Sequence, residues 1–194
     1  MSEHIGLLGG TFDPVHLGHI SIAESFLDSD MIDRLWILLT PYPPHKQAHT
    51  KTAYDMRLQM IKNAFSGNDH IQICTIENEL PKPSYSVQTI RHLKEKYPDY
   101  NFYFCMGEDS LASFNSWKDY TKILEECKLL VAHRPGAIHD NVEDNILKHT
   151  HFVEHSPVEI SSSQIKKRTR KGKTIVGLVP ESVIKIIEKE HLYR

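Results

Sequence analysis

His16 and His19 flank Leu17-Gly18 and follow a glycine-bearing turn, Gly9-Gly10-Thr11-Phe12-Asp13-Pro14. Histidines three apart on a first helical turn project to one side, so the pair offers two N–H donors to one anionic group. Gly18 leaves room between the rings, and Gly9 and Gly10 let the backbone bend and approach a ligand without a Cβ in the way. Asp13-Pro14 is a turn dipeptide that brings the chain round into the helix. A short apolar run, Ile5 to Leu8, precedes the turn, and an apolar stripe of helical period, Ile20, Ala23, Phe26 and Leu27, follows it. Such a strand-to-helix turn is where α/β proteins place phosphate.

Other groups along the chain could serve the same anion. Lys46 ends a loop stiffened by Pro41, Pro43 and Pro44, a compact charge on a stiff stem. Gly107 and Asp109 follow an apolar strand, where a carboxylate either accepts ribose hydroxyls or caps a helix. Ser161 with Gln164 is a capping-box pattern, so Ser162, Ser163 and Lys166 stand at a helix start suited to phosphate. Six of the eight residues from 166 to 173 are basic, a pattern that also fits a solvated cationic helix end. Trp117, between polar Ser116 and Lys118, reads as a half-exposed stacking platform and Phe114 as core. Ser86 has the position of an N-cap.

These groups need a scaffold, and strands alternate with helices throughout. Residues 5–9, 34–39, 71–76, 101–106 and 128–132 read as strands, with 71–76 nearer an edge. Residues 53–65, 87–96, 140–149 and the stretch after Pro180 read as helices, the last packing Val183, Ile186 and Ile187 inward. The expected fold is α/β, a doubly wound, mostly parallel sheet with helices on both faces, formed by one domain over 1–194. A net charge of −2 argues against bulk attraction to nucleic acid or membrane, so anion binding must be local. Cys74, Cys105 and Cys127 have neither disulfide nor zinc spacing, and no apolar run reaches spanning length; a reducing, cytoplasmic setting is expected. Thirteen histidines raise a metal question, most sharply at His149, His151 and His155. No acidic or cysteine ligand stands at zinc spacing there, and no protein-held metal is expected.

The string Gly-Gly-Thr-Phe-Asp-Pro-x-His-x-Gly-His resembles the nucleotidyltransferase superfamily, and within it the bacterial nicotinate-nucleotide adenylyltransferases. The resemblance runs in order from Gly9 to Tyr193. It implies a Rossmann-like domain that transfers AMP from ATP to nicotinate mononucleotide, releasing pyrophosphate, with Mg2+ carried on the phosphates. It further implies catalytic roles for His16 and His19. ATP contacts would come from Gly9, Gly10, Thr11, Phe12, Gly18, Lys46, Gly107, Asp109, Arg134, Ser162, Ser163 and Lys166. Tyr85, Ser86 and Trp117 would hold the mononucleotide. The chain departs from the family pattern in several places. Ser86 replaces Thr, Gln88 replaces Asp, and Glu108 replaces a small residue and must point away from phosphate. Ser163 replaces Thr, Lys166 replaces Arg so that Lys167 or Arg168 could share its role, and Gly177 replaces Tyr. Arg57 matches a family arginine, although an exposed helical arginine reads the same way. A pantetheine-phosphate adenylyltransferase or cytidylyltransferase of the superfamily, or a non-catalytic nucleotide sensor, is the alternative.

Overall fold

The structure is a computed structural model that describes residues 2–41, 52–134, 136–137 and 139–194. Six parallel strands form one sheet in the order β3-β2-β1-β4-β5-β6. They are β1 (His4–Gly10), β2 (Arg34–Leu39), β3 (Ile71–Cys74), β4 (Asn101–Gly107), β5 (Lys128–His133) and β6 (Thr150–Glu154). The helices are α1 (Leu17–Leu27), α2 (Tyr54–Phe65), α3 (Ser86–Lys96), α4 (Glu108–Leu111), α5 (Tyr120–Glu126), α6 (Asp144–Lys148), α7 (Ser162–Arg170) and α8 (Glu181–Lys189).

The near-continuous apolar runs of β1, β2, β4 and β5 follow from burial on both faces. Because side chains alternate, Ile5, Leu7, Trp36, Leu38, Phe104 and Val131 face one core with α3 and α5. Leu8, Leu35, Ile37, Leu39, Cys105 and Leu130 face the other, filled by Ala23, Phe26, Met60, Ile61, Ile165, Val183 and Ile187. The chain adds β2 and β3 on one side of β1, then returns to add β4, β5 and β6 on the other. That reversal opens a crevice between the C-terminal ends of β1 and β4, where such sheets bind ligands.

The edge position of β3 agrees with its mixed composition, but the strand stops at Cys74 and a 3-10 turn, Ile76–Asn78, follows. The polar stretch 140–149 yields only the short α6, with Ile146 buried. The sixth strand is absent from the sequence expectation. In β6 only Val153 is buried, and Phe152 stays 42% exposed, so an edge strand with one neighbour leaves no alternation to read. Ser86 is the first helical residue of α3 rather than its cap; Tyr85 holds that position, and its N–H donates to Gln88 Oε1 at 3.4 Å.

Arg57 is neither exposed nor open to a ligand: it is 1% exposed. Its guanidinium donates to the carbonyls of Thr11 at 2.8 Å, Thr40 at 3.0 Å, Pro41 at 3.1 Å and Thr52 at 3.3 Å. One α2 side chain therefore ties the loops leaving β1 and β2. Arg57→Met keeps bulk but strips these carbonyls of a charged donor, and should cost about 3 kcal/mol or more in urea unfolding. Wild-type stability in that variant would remove Arg57 as the tie.

Candidate active site

The crevice holds a cavity of about 520 Å3. Gly9, Gly10, Thr11, Phe12 and His19 line one side; Gly107, Ser110, Trp117 and Lys118 line another, with Tyr85, Ser86, Ser84 and Glu77 between them. Most of the residues expected from sequence to meet a ligand are thus brought together. Lys46 falls outside the described residues.

The signature turn is built around its rings. Phe12 is 2% exposed and sits at φ +46°, a left-handed conformation that costs energy for a bulky residue and marks a constrained site. A Cβ on Gly10 would come within 2.8 Å of the Phe12 ring, so glycine is required there. His19 stacks on His16 with ring centroids 3.7 Å apart and meets Phe12 edge-on at 4.9 Å. Gly18 lets His16 in: an added Cβ would lie 3.1 Å from its Nδ1.

These contacts set proton positions. The backbone N–H of His16 donates to His19 Nδ1 at 3.2 Å, so the ring proton of His19 sits on Nε2. His16 is 7% exposed and lies behind His19, outside the cavity lining, and its buried Nδ1 has no hydrogen-bond partner among the described residues. Burial pushes its imidazole from 6.5 down to about 4, so it is neutral at pH 7.

Below the turn Asp13, 4% exposed, pairs with Lys166 of α7 and accepts the Tyr193 phenol at 2.7 Å. Burial, and after it the Asp13 carboxylate, push the Tyr193 phenol up. Lys166 is therefore engaged beneath the turn, where phosphate would have to compete with Asp13 for it. Ser161 caps α7 by accepting from Gln164 N–H at 3.2 Å, as its spacing predicts. Ser162 donates its hydroxyl to Pro14 carbonyl at 3.0 Å, joining that helix start to the turn, while Ser163 is exposed. Arg168 donates to the Thr174 carbonyl at 2.8 Å.

Trp117 is half-buried against Phe104 and Phe114 and still lines the cavity; Phe114 is wholly buried, the division its sequence context predicts. Asp109 and Arg134 form an exposed ion pair at 3.1 Å and do not line the cavity. Glu108 does point away. Its Oε1 accepts from His133 and His139, and its Oε2 from the Arg134 N–H at 2.9 Å. Burial opposes its ionisation, but these bonds together hold it below the usual carboxylate range.

Two charged residues of the cavity lining have no role in the expectations from sequence. Lys118 places its ammonium 4.3 Å from the centre of the Tyr85 ring; its position beside Trp117 was the available signal. Glu77 is 6% exposed and accepts from Ser84 at 3.1 Å and Thr89 at 3.3 Å. Burial pushes its carboxyl up, against those hydrogen bonds. No local pattern marked it.

A glycine turn at the switch point of a parallel doubly wound sheet is where such folds bind nucleotides, and the paired histidines there carry the motif that resembles the nucleotidyltransferases. The family model described as cytidylyltransferase-like matches residues 7–168. A protein of Flavobacterium johnsoniae named probable nicotinate-nucleotide adenylyltransferase is 37% identical over 190 residues, covering 98% of each chain. One of the same name from Exiguobacterium sibiricum is 38% identical over 97% of this chain and 98% of its own. The fold also matches the solved Plasmodium falciparum nicotinic acid mononucleotide adenylyltransferase complexed with APC, at TM-score 0.80 and 21% identity, over 98% of this chain and 97% of that one. The chain belongs to the cytidylyltransferase-like family and, within it, to the nicotinate-nucleotide adenylyltransferases.

The buried neutral His16 has a measurable consequence. Its folded value is depressed, so between pH 6.5 and about 4 the unfolded chain binds the extra proton. Stability should fall as pH drops through that window, by roughly 2–3 kcal/mol at the acid end from this residue. In urea unfolding at pH 7 and 4.5, His16→Asn should lose less than wild type on acidification. Equal losses would mean that His16 is not buried in neutral form.

Proposed function

We propose that the chain transfers AMP from ATP to nicotinate mononucleotide. The observation that carries this reading is that one cavity is lined both by His19 and glycine backbone and by Trp117, Tyr85 and Lys118. The mononucleotide phosphate oxygen attacks the α-phosphorus in line, the bond to the bridging oxygen breaks, and its electron pair leaves with pyrophosphate. No covalent enzyme intermediate is required, so the protein contributes positioning and charge stabilisation. Mg2+ arrives on ATP as part of the substrate, which suits an ion that keeps most of its ligands as phosphate and water.

In this reading His19 donates Nε2–H to phosphate oxygens, and His16 fixes the ring from behind. Gly9, where an added Cβ would meet nothing within 4 Å, leaves open space for the triphosphate. The start of α7, with Ser162 and Ser163, and Lys46 supply further anion contacts; Lys166 acts chiefly by holding α7 to Asp13. Gly107, Asp109 and Arg134 take the adenosine end. Trp117 and Tyr85 flank the pyridine ring, with Ser86 and Lys118 toward its carboxylate.

The test is an assay of ATP, Mg2+ and a panel of phosphorylated acceptors, scored for pyrophosphate and dinucleotide. Nicotinate mononucleotide should exceed its amide analogue by at least about tenfold in kcat/KM, because a carboxylate accepts charge-assisted bonds that an amide cannot match. Equal values for the two would refute the acid preference, and turnover confined to phosphopantetheine would refute the whole reading.

His19→Ala should stay folded and bind ATP but lose roughly 10²–10³ in kcat, the usual cost of one preorganised donor. Near-wild-type turnover with a native circular dichroism spectrum would remove its catalytic role.

Trp117→Ala should raise the mononucleotide KM roughly 2- to 30-fold and leave ATP affinity unchanged, while Trp117→Phe keeps most of the binding. Parallel loss of both substrates together with a large fall in Tm would assign Trp117 to the core.

A further inference from the structure

Glu108, His133 and His139 come from three separate places: the residue after β4, the last residue of β5, and the loop beyond it. Their ligand atoms nevertheless converge. His133 Nδ1 lies 2.7 Å and His139 Nε2 2.8 Å from the same carboxylate oxygen, Glu108 Oε1, and all three atoms fall within 4.8 Å of one another. We propose that these three residues form a transition-metal site, for which Zn2+ is the best match, that fastens the loop carrying Arg134 to the end of β4.

Two imidazoles and one carboxylate are the donor set of many three-ligand zinc sites, which leave the fourth position to water. The borderline nitrogen donors favour Zn2+ over Mg2+ or Ca2+, which prefer oxygen alone. Ligands about 2.0 Å from a tetrahedral ion are about 3.3 Å apart, so the cluster has to open by roughly half an ångström to admit one. The side chains have support of the kind metal ligands have. The Arg134 N–H holds Glu108 Oε2 at 2.9 Å, which aims Oε1 at the two rings. Phe152 packs on both imidazoles, with centroids 4.7 Å from His139 and 5.9 Å from His133. Glu108 is buried, but the His133 and His139 side chains are 36% and 25% exposed, which gives an ion a way in.

Without an ion, both rings can donate N–H to Oε1 as a plain hydrogen-bonded latch. With one, the same nitrogens present lone pairs, and the ring protons move to His133 Nε2 and His139 Nδ1. Ligands drawn from three elements leave no spacing signature, which is why the sequence directs attention to His149, His151 and His155 instead. The proposal does not depend on which nucleotide the neighbouring cavity accepts.

The experiment uses the whole chain, stripped with a chelator and titrated with Zn2+ alone against a chromophoric competitor. One ion per chain should bind, and Co2+ in its place should give the visible absorption of a four-coordinate site that Zn2+ abolishes. Glu108→Gln, His133→Asn and His139→Asn should each weaken binding by more than the roughly 10–100-fold lost with an outer partner. His149→Asn/His151→Asn should bind as wild type does. Should a ligand variant fail to fold, histidine side-chain NMR of the wild type replaces it: Zn2+ must shift the His133 and His139 rings and leave the others. No stoichiometric uptake, uptake that survives the three ligand substitutions, or shifts confined to other histidines would overturn the site and leave the hydrogen-bonded latch.

Discussion

The carboxylate of Asp13 is the constraint on which the site depends. At 4% exposure it can be charged only if it is paired, and its partners come from the far end of the chain: Lys166 and the Tyr193 phenol. Breaking such a buried pair typically costs about 3–5 kcal/mol, because the remaining charge is left in place. Asp13 therefore fastens α7 and the C-terminal residues beneath the turn that carries the histidines. Arg57 acts on the same turn from the other side, through the Thr11 carbonyl. The turn is thus fixed by residues 57, 166 and 193, none of which lines the cavity.

That fixing has a chemical result. Phe12 can hold its left-handed conformation, and the two imidazoles can stack at 3.7 Å, only because the surrounding chain cannot relax. Stacked rings at this distance could not both be charged without repulsion, and burial keeps His16 neutral. The site therefore offers oriented dipoles rather than a pair of cations, and such donors need no reorganisation as charge develops on phosphorus. On the opposite wall Lys118 supplies a positive charge near Tyr85, and Glu77 keeps its carboxylate occupied by Ser84 and Thr89.

The parts legible in the sequence were those whose cause is local. Apolar runs marked β1, β2, β4 and β5, since burial on both faces leaves no polar positions. The β1–α1 turn announced itself by glycine and histidine spacing, and Ser161 by its partner three residues on. What was not legible depends on contacts distant along the chain. Lys166 reads as one of a basic run until Asp13 is seen beside it. Arg57 reads as a surface helix residue until the loops after β1 and β2 fold over it. Glu108 reads only as a misplaced charge, because the histidines that receive it lie beyond another strand. An edge strand such as β6, half exposed and paired on one side, carries too little pattern to separate it from loop.

A crystal structure of the chain with a non-hydrolysable ATP analogue, Mg2+ and nicotinate mononucleotide would read this arrangement directly. An α-phosphate oxygen should lie about 2.7–3.1 Å from His19 Nε2, with the Asp13–Lys166 pair intact and the pyridine ring against Trp117. A triphosphate bound away from His19, or drawn onto Lys166 with Asp13 released, would contradict it.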